Sequence, residues 1–116
     1  MEMLDTEVLA ELSVLGEDDL RALIDVYFED VTSQLDRLRS ALGDGDADAL
    51  AAAAHRVKGA SLSIGAARVA SLASELEVAG QANDLGGCDA LLRAFESELD
   101  PTREALSAVL AVEFSR

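Results

Sequence analysis

The residues of this sequence with the clearest chemical potential, His55, Lys58 and Gly59, lie within about one helical turn. His55 is the only histidine, and Lys58 is the only lysine among 9 cationic residues. A histidine at neutral pH can act as a nucleophile, as a general acid or base, or as a metal ligand. The residues around His55 decide between these kinds of chemistry.

Spacing excludes two common uses of a histidine. Carboxylate-bridged metal sites in helical bundles use Glu-x-x-His pairs, whereas Ala52 stands three positions before His55. A hydrolytic triad would need His55, Ser61 and Asp48 to converge, but these three share one helix and Ser61 lies on its other side. We therefore predict neither a bound metal nor a hydrolytic triad.

The helix that carries His55 is predicted over residues 46–64, with Asp46 as N-cap and Gly65 after its end. At 100° per residue, one side carries the large apolar residues and should face the core: Leu50, Ala53, Ala54, Val57, Ala60, Ser61 and Ile64. His55 lies on the opposite side with Asp48, Ala51, Ala52, Lys58, Gly59 and Leu62. A smooth apolar strip beside one reactive group predicts a docking surface, formed by Ala51, Ala52 and Leu62.

Gly59 and Lys58 fit a histidine that receives an anionic group. Helical side chains lean toward the N-terminus, so a side chain at position 59 would cover His55. Glycine leaves the imidazole accessible and costs about 1 kcal/mol of helix stability relative to alanine. Lys58 is three residues from His55 and could offset the charge of a phosphoryl group, roughly −2 at neutral pH.

The rest of the chain should supply a helical scaffold for this strip. Apolar residues at steps of three and four predict helices over residues 6–15, from 17 to a break at 43–45, over 66–79, and from 84 onward. Pro101 should kink or interrupt the last helix, and the pattern leaves both outcomes open. We predict one all-α domain over residues 1–116, an antiparallel four-helix up-down bundle with a short additional N-terminal helix. Cys88 is predicted to lie in or near its core.

The charge of the chain restricts its partners. A net charge of −14 opposes binding to nucleic acid or to anionic lipid. The sequence lacks an apolar run of the roughly 20 residues that a membrane span needs. Its acidic N-terminus does not resemble a signal peptide. We therefore expect a cytoplasmic protein, and we predict a monomer.

The segment from His55 to Ser61, His-Arg-Val-Lys-Gly-Ala-Ser, resembles the signature of histidine-containing phosphotransfer (HPt) domains. That signature reads H-x-(L/V)-K-G-(A/S)-(S/A), followed by an apolar residue and a glycine, which Ile64 and Gly65 match. The helix pattern extends the similarity over nearly the whole chain, including a Leu-Glu pair at Leu76 and Glu77.

The resemblance implies a role for each matching residue. His55 would accept and donate a phosphoryl group through Nε2, Lys58 would hold that group by charge, and Gly59 would keep His55 accessible. Ser61 and Gly65 would serve packing and the helix end. The reactive aspartate and Mg²⁺ would belong to the partner, so this chain would need no cofactor.

The implied function is phosphoryl transfer in a bacterial multistep phosphorelay, a form of two-component signalling. The partners would be receiver domains of response regulators or of hybrid histidine kinases. The chain would be a phosphoryl carrier rather than an autonomous enzyme, since it has no ATP-binding motif. Two alternatives stay open: the phosphoacceptor domain of a chemotaxis-type histidine kinase, and an HPt-like interaction module that carries no phosphate.

Overall fold

Five helices make up most of the computed structural model, which describes residues 2–115. Their bounds are α1 Thr6–Leu12, α2 Glu17–Asp44, α3 Ala47–Ile64, α4 Ala67–Gln81 and α5 Leu85–Glu113, and a 3-10 turn over Ser13–Leu15 follows α1. No strand occurs in this part of the chain. The predicted all-α bundle with a short N-terminal helix is confirmed.

The four long helices pack in a ring around one core. Helix α3 lies between α2 and α4, and α5 contacts both α4 and α2. Connections of two or three residues join α2 to α3, α3 to α4, and α4 to α5, so the chain reverses direction between packed neighbours. The largest fully buried apolar side chains are Phe95, Leu20, Leu38, Leu50, Leu76 and Leu106. Cys88 is also buried, as predicted.

The ends of α3 follow the predicted capping. The Asp46 carboxylate accepts a hydrogen bond of 3.0 Å from the backbone N–H of Ala49, which satisfies a free donor of the first turn. Gly65 adopts φ +80°, the left-handed conformation that ends the helix. Helix α1 closes this end of the bundle, since the N–H of Asp5 donates to the Gly65 carbonyl at 2.8 Å. Both ends of the helix that carries His55 are therefore fixed.

Three boundaries differ from the sequence prediction. Helix α2 continues through Gly43 to Asp44, inside the predicted break at residues 43–45. Helix α1 is α-helical only to Leu12 and tightens into the 3-10 turn before Gly16. Helix α4 continues through Gly80 to Gln81, because Gly80 is a contact residue rather than a helix end. A Cβ added at Gly80 would lie 3.1 Å from the Ala51 Cβ, so the glycine allows α3 and α4 to approach closely.

The question that the sequence left open at Pro101 is settled against a break. Helix α5 is continuous from Leu85 to Glu113. Pro101 lies on the exposed side, whereas Thr102 and Phe95 are buried. The carbonyl of Ser97, which loses its helical N–H partner to the proline ring, therefore lies on the solvent side.

Between residues 2 and 115, no helix has the length and apolar content that crossing a bilayer requires.

Candidate functional site

Helix α3 presents His55 to solvent from the middle of its length. The imidazole side chain is 68% exposed, while the opposite side of α3 is buried at Leu50, Ala53, Ala54, Val57, Ser61 and Ile64. Ala60, which was also assigned to the core side, is half-buried. The predicted orientation of the helix is therefore correct, and the only histidine lies on the outer side of the bundle.

A single carboxylate from α4 binds both His55 and Lys58. Oε2 of Glu77 lies 2.8 Å from Nδ1 of His55, and Oε1 of Glu77 accepts a hydrogen bond of 2.7 Å from Nζ of Lys58. The Glu77 side chain is only 14% exposed. The carboxylate lies between α3 and α4, on the protein side of the imidazole. It orients the ring through Nδ1, and the rest of the ring remains open to solvent.

This pairing determines which imidazole nitrogen can react. An ionised carboxylate only accepts hydrogen bonds, so Nδ1 of His55 must carry the proton that it donates to Glu77. In the neutral ring, Nε2 then keeps its lone pair. No hydrogen bond to any residue from 2 to 115 occupies Nε2. The site therefore presents Nε2 as an accessible nucleophile.

Glu77 stays ionised at neutral pH. The hydrogen bond from Lys58 holds the pKa of the Glu77 carboxyl below its ordinary value, and the hydrogen bond with His55 acts in the same direction. Partial burial opposes this shift but is outweighed by the two. The negative charge that orients His55 is therefore present under physiological conditions.

The sequence argument treated Lys58 as a free positive charge, and the geometry changes that picture. The ammonium group already forms an ion pair with Glu77, and the Lys58 side chain is 29% exposed. The pair has no net charge, so Lys58 does not act as an isolated cation beside the His55 imidazole. Only one of the three N–H donors of the ammonium group is used by Glu77, so the others stay available for the predicted contact with a phosphoryl group.

Gly59 leaves open space over the site. A Cβ built at this position has no heavy atom within 4 Å outside its own helix backbone. Close packing of another helix is therefore not the reason for a glycine here. The predicted role in access to His55 remains the interpretation that fits this position.

The predicted docking strip is open at two of its three positions. Ala52 is exposed, and Leu62 is 58% exposed despite its large apolar side chain. Ala51 is half-buried, because it packs against Gly80 of α4. Ala51 therefore contributes to helix packing, and its part in docking stays a prediction.

Two polar contacts hold α3 against α2 near the site. The hydroxyl groups of Tyr27 and Ser61 lie 2.7 Å apart in the core, which agrees with the packing role that the resemblance implied for Ser61. Burial raises the pKa of Tyr27 to about 12, although the Ser61 hydrogen bond partly opposes the rise. Nearer the surface, Arg56 donates a hydrogen bond of 3.0 Å to Asp30. These contacts fix the rotation of α3 and hence the direction of His55.

Glu77 is the residue whose role the sequence alone did not reveal. It was noted only as part of the Leu-Glu pair, although α4 offers a signal. Leu76 is fully buried and Glu77 follows it, so the carboxylate lies at the edge of the core side of α4. A carboxylate in such a position needs cationic or hydrogen-bonding partners. Lys58 and His55 are two groups of α3 that can serve.

Comparisons with known proteins agree with this geometry. The sequence matches the Hpt domain family over residues 22–108. The fold is similar to the crystal structure of histidine-containing phosphotransfer protein B (HptB) from Pseudomonas aeruginosa PAO1, with a TM-score of 0.86 and 34% sequence identity, and the match covers 93% of this chain and 94% of that chain. A search of curated proteins gave no significant match. The chain belongs to the Hpt family. It is a histidine phosphotransfer protein, and members of this family interact with receiver domains of response regulators or kinases.

Proposed function

We propose that this chain carries a phosphoryl group on Nε2 of His55 between receiver-domain aspartates in a bacterial multistep phosphorelay. One observation carries the proposal: Glu77 binds Nδ1 of His55 at 2.8 Å, while Nε2 stays unbonded on a largely exposed ring. A histidine that served only packing or solubility would need neither a fixed tautomer nor an open approach. Family membership supports the same assignment.

The transfer step uses atoms that the site presents. The lone pair of Nε2 attacks the phosphorus of an aspartyl phosphate on the partner, and an N–P bond forms. The P–O bond to the aspartate breaks in line, and the carboxylate leaves with the electron pair. The His55 ring keeps its Nδ1 proton and gains positive charge. The reverse step returns the phosphoryl group to an aspartate and restores the neutral ring.

Glu77 stabilises the ring as this charge develops. The neutral ring already donates a charge-assisted hydrogen bond to the ionised Glu77, and the positive charge that the ring gains adds a Coulomb attraction to the same carboxylate. The contact between Nδ1 and Oε2 therefore strengthens as the N–P bond forms. Catalysis benefits from such a difference, because only interactions that are stronger in the transition state accelerate the reaction.

Lys58 has a second task in this proposal. Its Nζ is held 2.7 Å from Glu77, three residues along α3 from His55. When a phosphoryl group occupies Nε2, the remaining N–H donors of the lysine bind the phosphoryl oxygens, and Glu77 stays with the ring. The partner's Mg²⁺ would supply the remaining charge stabilisation from the receiver side. This chain contributes the placement of Nε2, the fixed tautomer of His55 and the positive charge of Lys58.

An apolar groove beside His55 offers a surface for the partner. The groove has a volume of about 550 Å³ and lies between α2 and α3, with Leu23, Val26 and Ala60 among its lining residues. Leu23 and Val26 are 41% and 61% exposed. With Ala52 and Leu62, these residues extend the apolar surface from α3 onto α2. A receiver docked there would place its aspartate over Nε2 of His55.

Label transfer from a phosphorylated receiver tests the proposal. Wild-type protein incubated with a receiver carrying labelled aspartyl phosphate is expected to gain acid-labile, base-stable label. His55→Gln should gain none while unfolding at the same urea concentration as wild type. Label retained on His55→Gln contradicts the assignment. Partner binding without labelling of wild type would instead favour the interaction module that carries no phosphate.

A further inference from the structure

Helix α5 buries two polar side-chain atoms that no residue from 2 to 115 satisfies. They are Oε2 of Glu98 and Oγ1 of Thr102. Thr102 is 0% exposed, and the Glu98 side chain, at 19% exposed, has its Oε2 in the buried part. Buried polar atoms in folded proteins nearly always have a hydrogen-bond partner, so these two exceptions need an explanation.

The Thr102 hydroxyl does not use the partner that its own helix offers. A threonine in a helix can donate to the carbonyl four residues earlier, and Thr32 of α2 does so, with 2.7 Å between its Oγ1 and the Phe28 carbonyl oxygen. Glu98 stands four residues before Thr102, but its carbonyl receives no such bond. The Thr102 hydroxyl is therefore available to a different group.

The Glu98 carboxylate has one oxygen bound and the other without a donor. Oε1 lies 2.8 Å from Nε of Arg68, near the start of α4. Oε2 has no donor within the described chain. A carboxylate oxygen that is buried without a donor destabilises a fold. Oε2 therefore needs a hydrogen-bond donor beside it.

The two atoms belong to successive turns of one helix, which limits what can join them. Side chains four residues apart have Cβ atoms about 5–6 Å apart on the same side of a helix. Glu98 and Thr102 do not bond to each other directly. One water molecule that makes two hydrogen bonds of about 2.8 Å spans a gap of about 4–5 Å. A metal ion such as Ca²⁺ or Mg²⁺ needs about six oxygen ligands, so two side-chain oxygens fit water better.

We infer that α5 binds a buried water molecule between Oε2 of Glu98 and Oγ1 of Thr102. The water donates one hydrogen bond to the carboxylate and makes a second with the hydroxyl. With the Arg68–Glu98 ion pair, it completes a chain of polar contacts from α4 to the core side of α5. Pro101, between Glu98 and Thr102 in the chain, removes one backbone hydrogen bond of α5. The water bridge therefore supports α5 at the turn that the proline weakens.

The test compares Thr102→Val with wild type in urea titrations, alongside a crystal structure of wild type that shows ordered water. Valine has nearly the shape of threonine and lacks the hydroxyl, so the change removes one partner of the water. Thr32→Val, the same change at an exposed position of α2, is the matched control. Loading of His55 from phosphoramidate, a small donor that needs no protein partner, checks that each variant is folded.

The unfolding equilibrium constant of Thr102→Val should rise about tenfold, the equivalent of one lost hydrogen bond. That of Thr32→Val should stay within about threefold of wild type. The wild-type crystal should show a water within hydrogen-bond distance of both Oε2 and Oγ1.

Without the bridge, valine would replace an unpaired hydroxyl with a methyl group, and the unfolding constant of Thr102→Val should stay unchanged or fall. Either of these results overturns the inference. A wild-type crystal with no water between the two atoms, or with a protein group bound to Oε2, overturns it too. Because α5 does not carry His55, none of these results bears on the proposed function.

Discussion

Replacing Glu77 with glutamine tests how the site controls the imidazole. Glu77→Gln keeps the size of the side chain and removes the charge that binds Nδ1 of His55 at 2.8 Å and Nζ of Lys58 at 2.7 Å. A neutral amide accepts from the ring only weakly, and it can also present its NH₂ group to Nδ1. That second arrangement favours the wrong tautomer, in which the proton lies on Nε2.

The expected magnitude follows from the change in the contact with Glu77 during transfer. The bond from the neutral ring to the ionised Glu77 is already charge-assisted, so the gain is the attraction between the new ring charge and the carboxylate. For unit charges about 4 Å apart, that attraction is about 1 kcal/mol in bulk water and about 4 kcal/mol near a protein surface. For this largely exposed ring, the contact with Glu77 should gain about 1–2 kcal/mol, toward the lower end of that range. Losing this gain lowers the rate about five- to thirtyfold, since each 1.36 kcal/mol is a factor of ten.

The assay is the rate of phosphohistidine formation from phosphoramidate, followed by ³¹P NMR. Glu75→Gln is the matched control, because it makes the same change at an exposed position of the same helix. We expect wild-type rates for Glu75→Gln and a five- to thirtyfold lower rate for Glu77→Gln. Equal rates for the two variants would show that the bond to Nδ1 does not assist phosphorylation, and the proposed role of Glu77 would be wrong.

Three further predictions concern stability, access and pH. Tyr27→Phe leaves the buried Ser61 hydroxyl without its partner and should lower the free energy of unfolding by about 1–2 kcal/mol in urea titrations. Because the pKa of Tyr27 is raised from 10.0 to about 12, wild type should lose about 2–3 kcal/mol of stability between those two pH values, a loss absent from Tyr27→Phe. An equal alkaline loss in the variant would refute this. Gly59→Gln should raise stability by about 0.5 kcal/mol and slow transfer from a phosphorylated receiver about tenfold or more; an unchanged transfer rate would contradict the access role. Above pH 4.5, wild type should have a higher free energy of unfolding than Glu77→Gln by a constant amount. This difference should shrink as the pH falls through the lowered pKa of Glu77; a difference that grows in acid would rule this out.

Local sequence signals were sufficient to place His55 on the outer side of its helix. The apolar period of α3 identified the buried side, and Asp46 and Gly65 marked its two ends. These features depend on residues near one another in the chain. A single helix therefore contains all the information needed to predict them.

The partner of His55 depends on tertiary structure, so the sequence could not assign it. Glu77 is 22 residues from His55, and its position over Nδ1 depends on how α4 is rotated and shifted against α3. Gly80 controls part of that registry by allowing close contact with Ala51. The same contact leaves Ala51 half-buried. Local periodicity shows that a residue lies on one side of a helix but not which neighbouring helix covers it.

The uninterrupted α5 illustrates the same limit. Proline removes a backbone hydrogen bond wherever it occurs in a helix interior, but whether the helix breaks depends on what surrounds it. Here Pro101 lies toward solvent, and buried neighbours on the other side, including Thr102 and Leu106, hold the helix against the bundle. That arrangement becomes visible only after the helices are packed.

The most direct test of the account is to identify the nitrogen that carries the phosphoryl group. Protein labelled with ¹⁵N and phosphorylated by a receiver can be examined by long-range ¹H–¹⁵N correlation, with ³¹P coupling marking the bonded nitrogen. We expect phosphorus on Nε2 of His55 and a proton on Nδ1, held by Glu77. Phosphorus on Nδ1, or on any residue other than His55, would contradict the central claim.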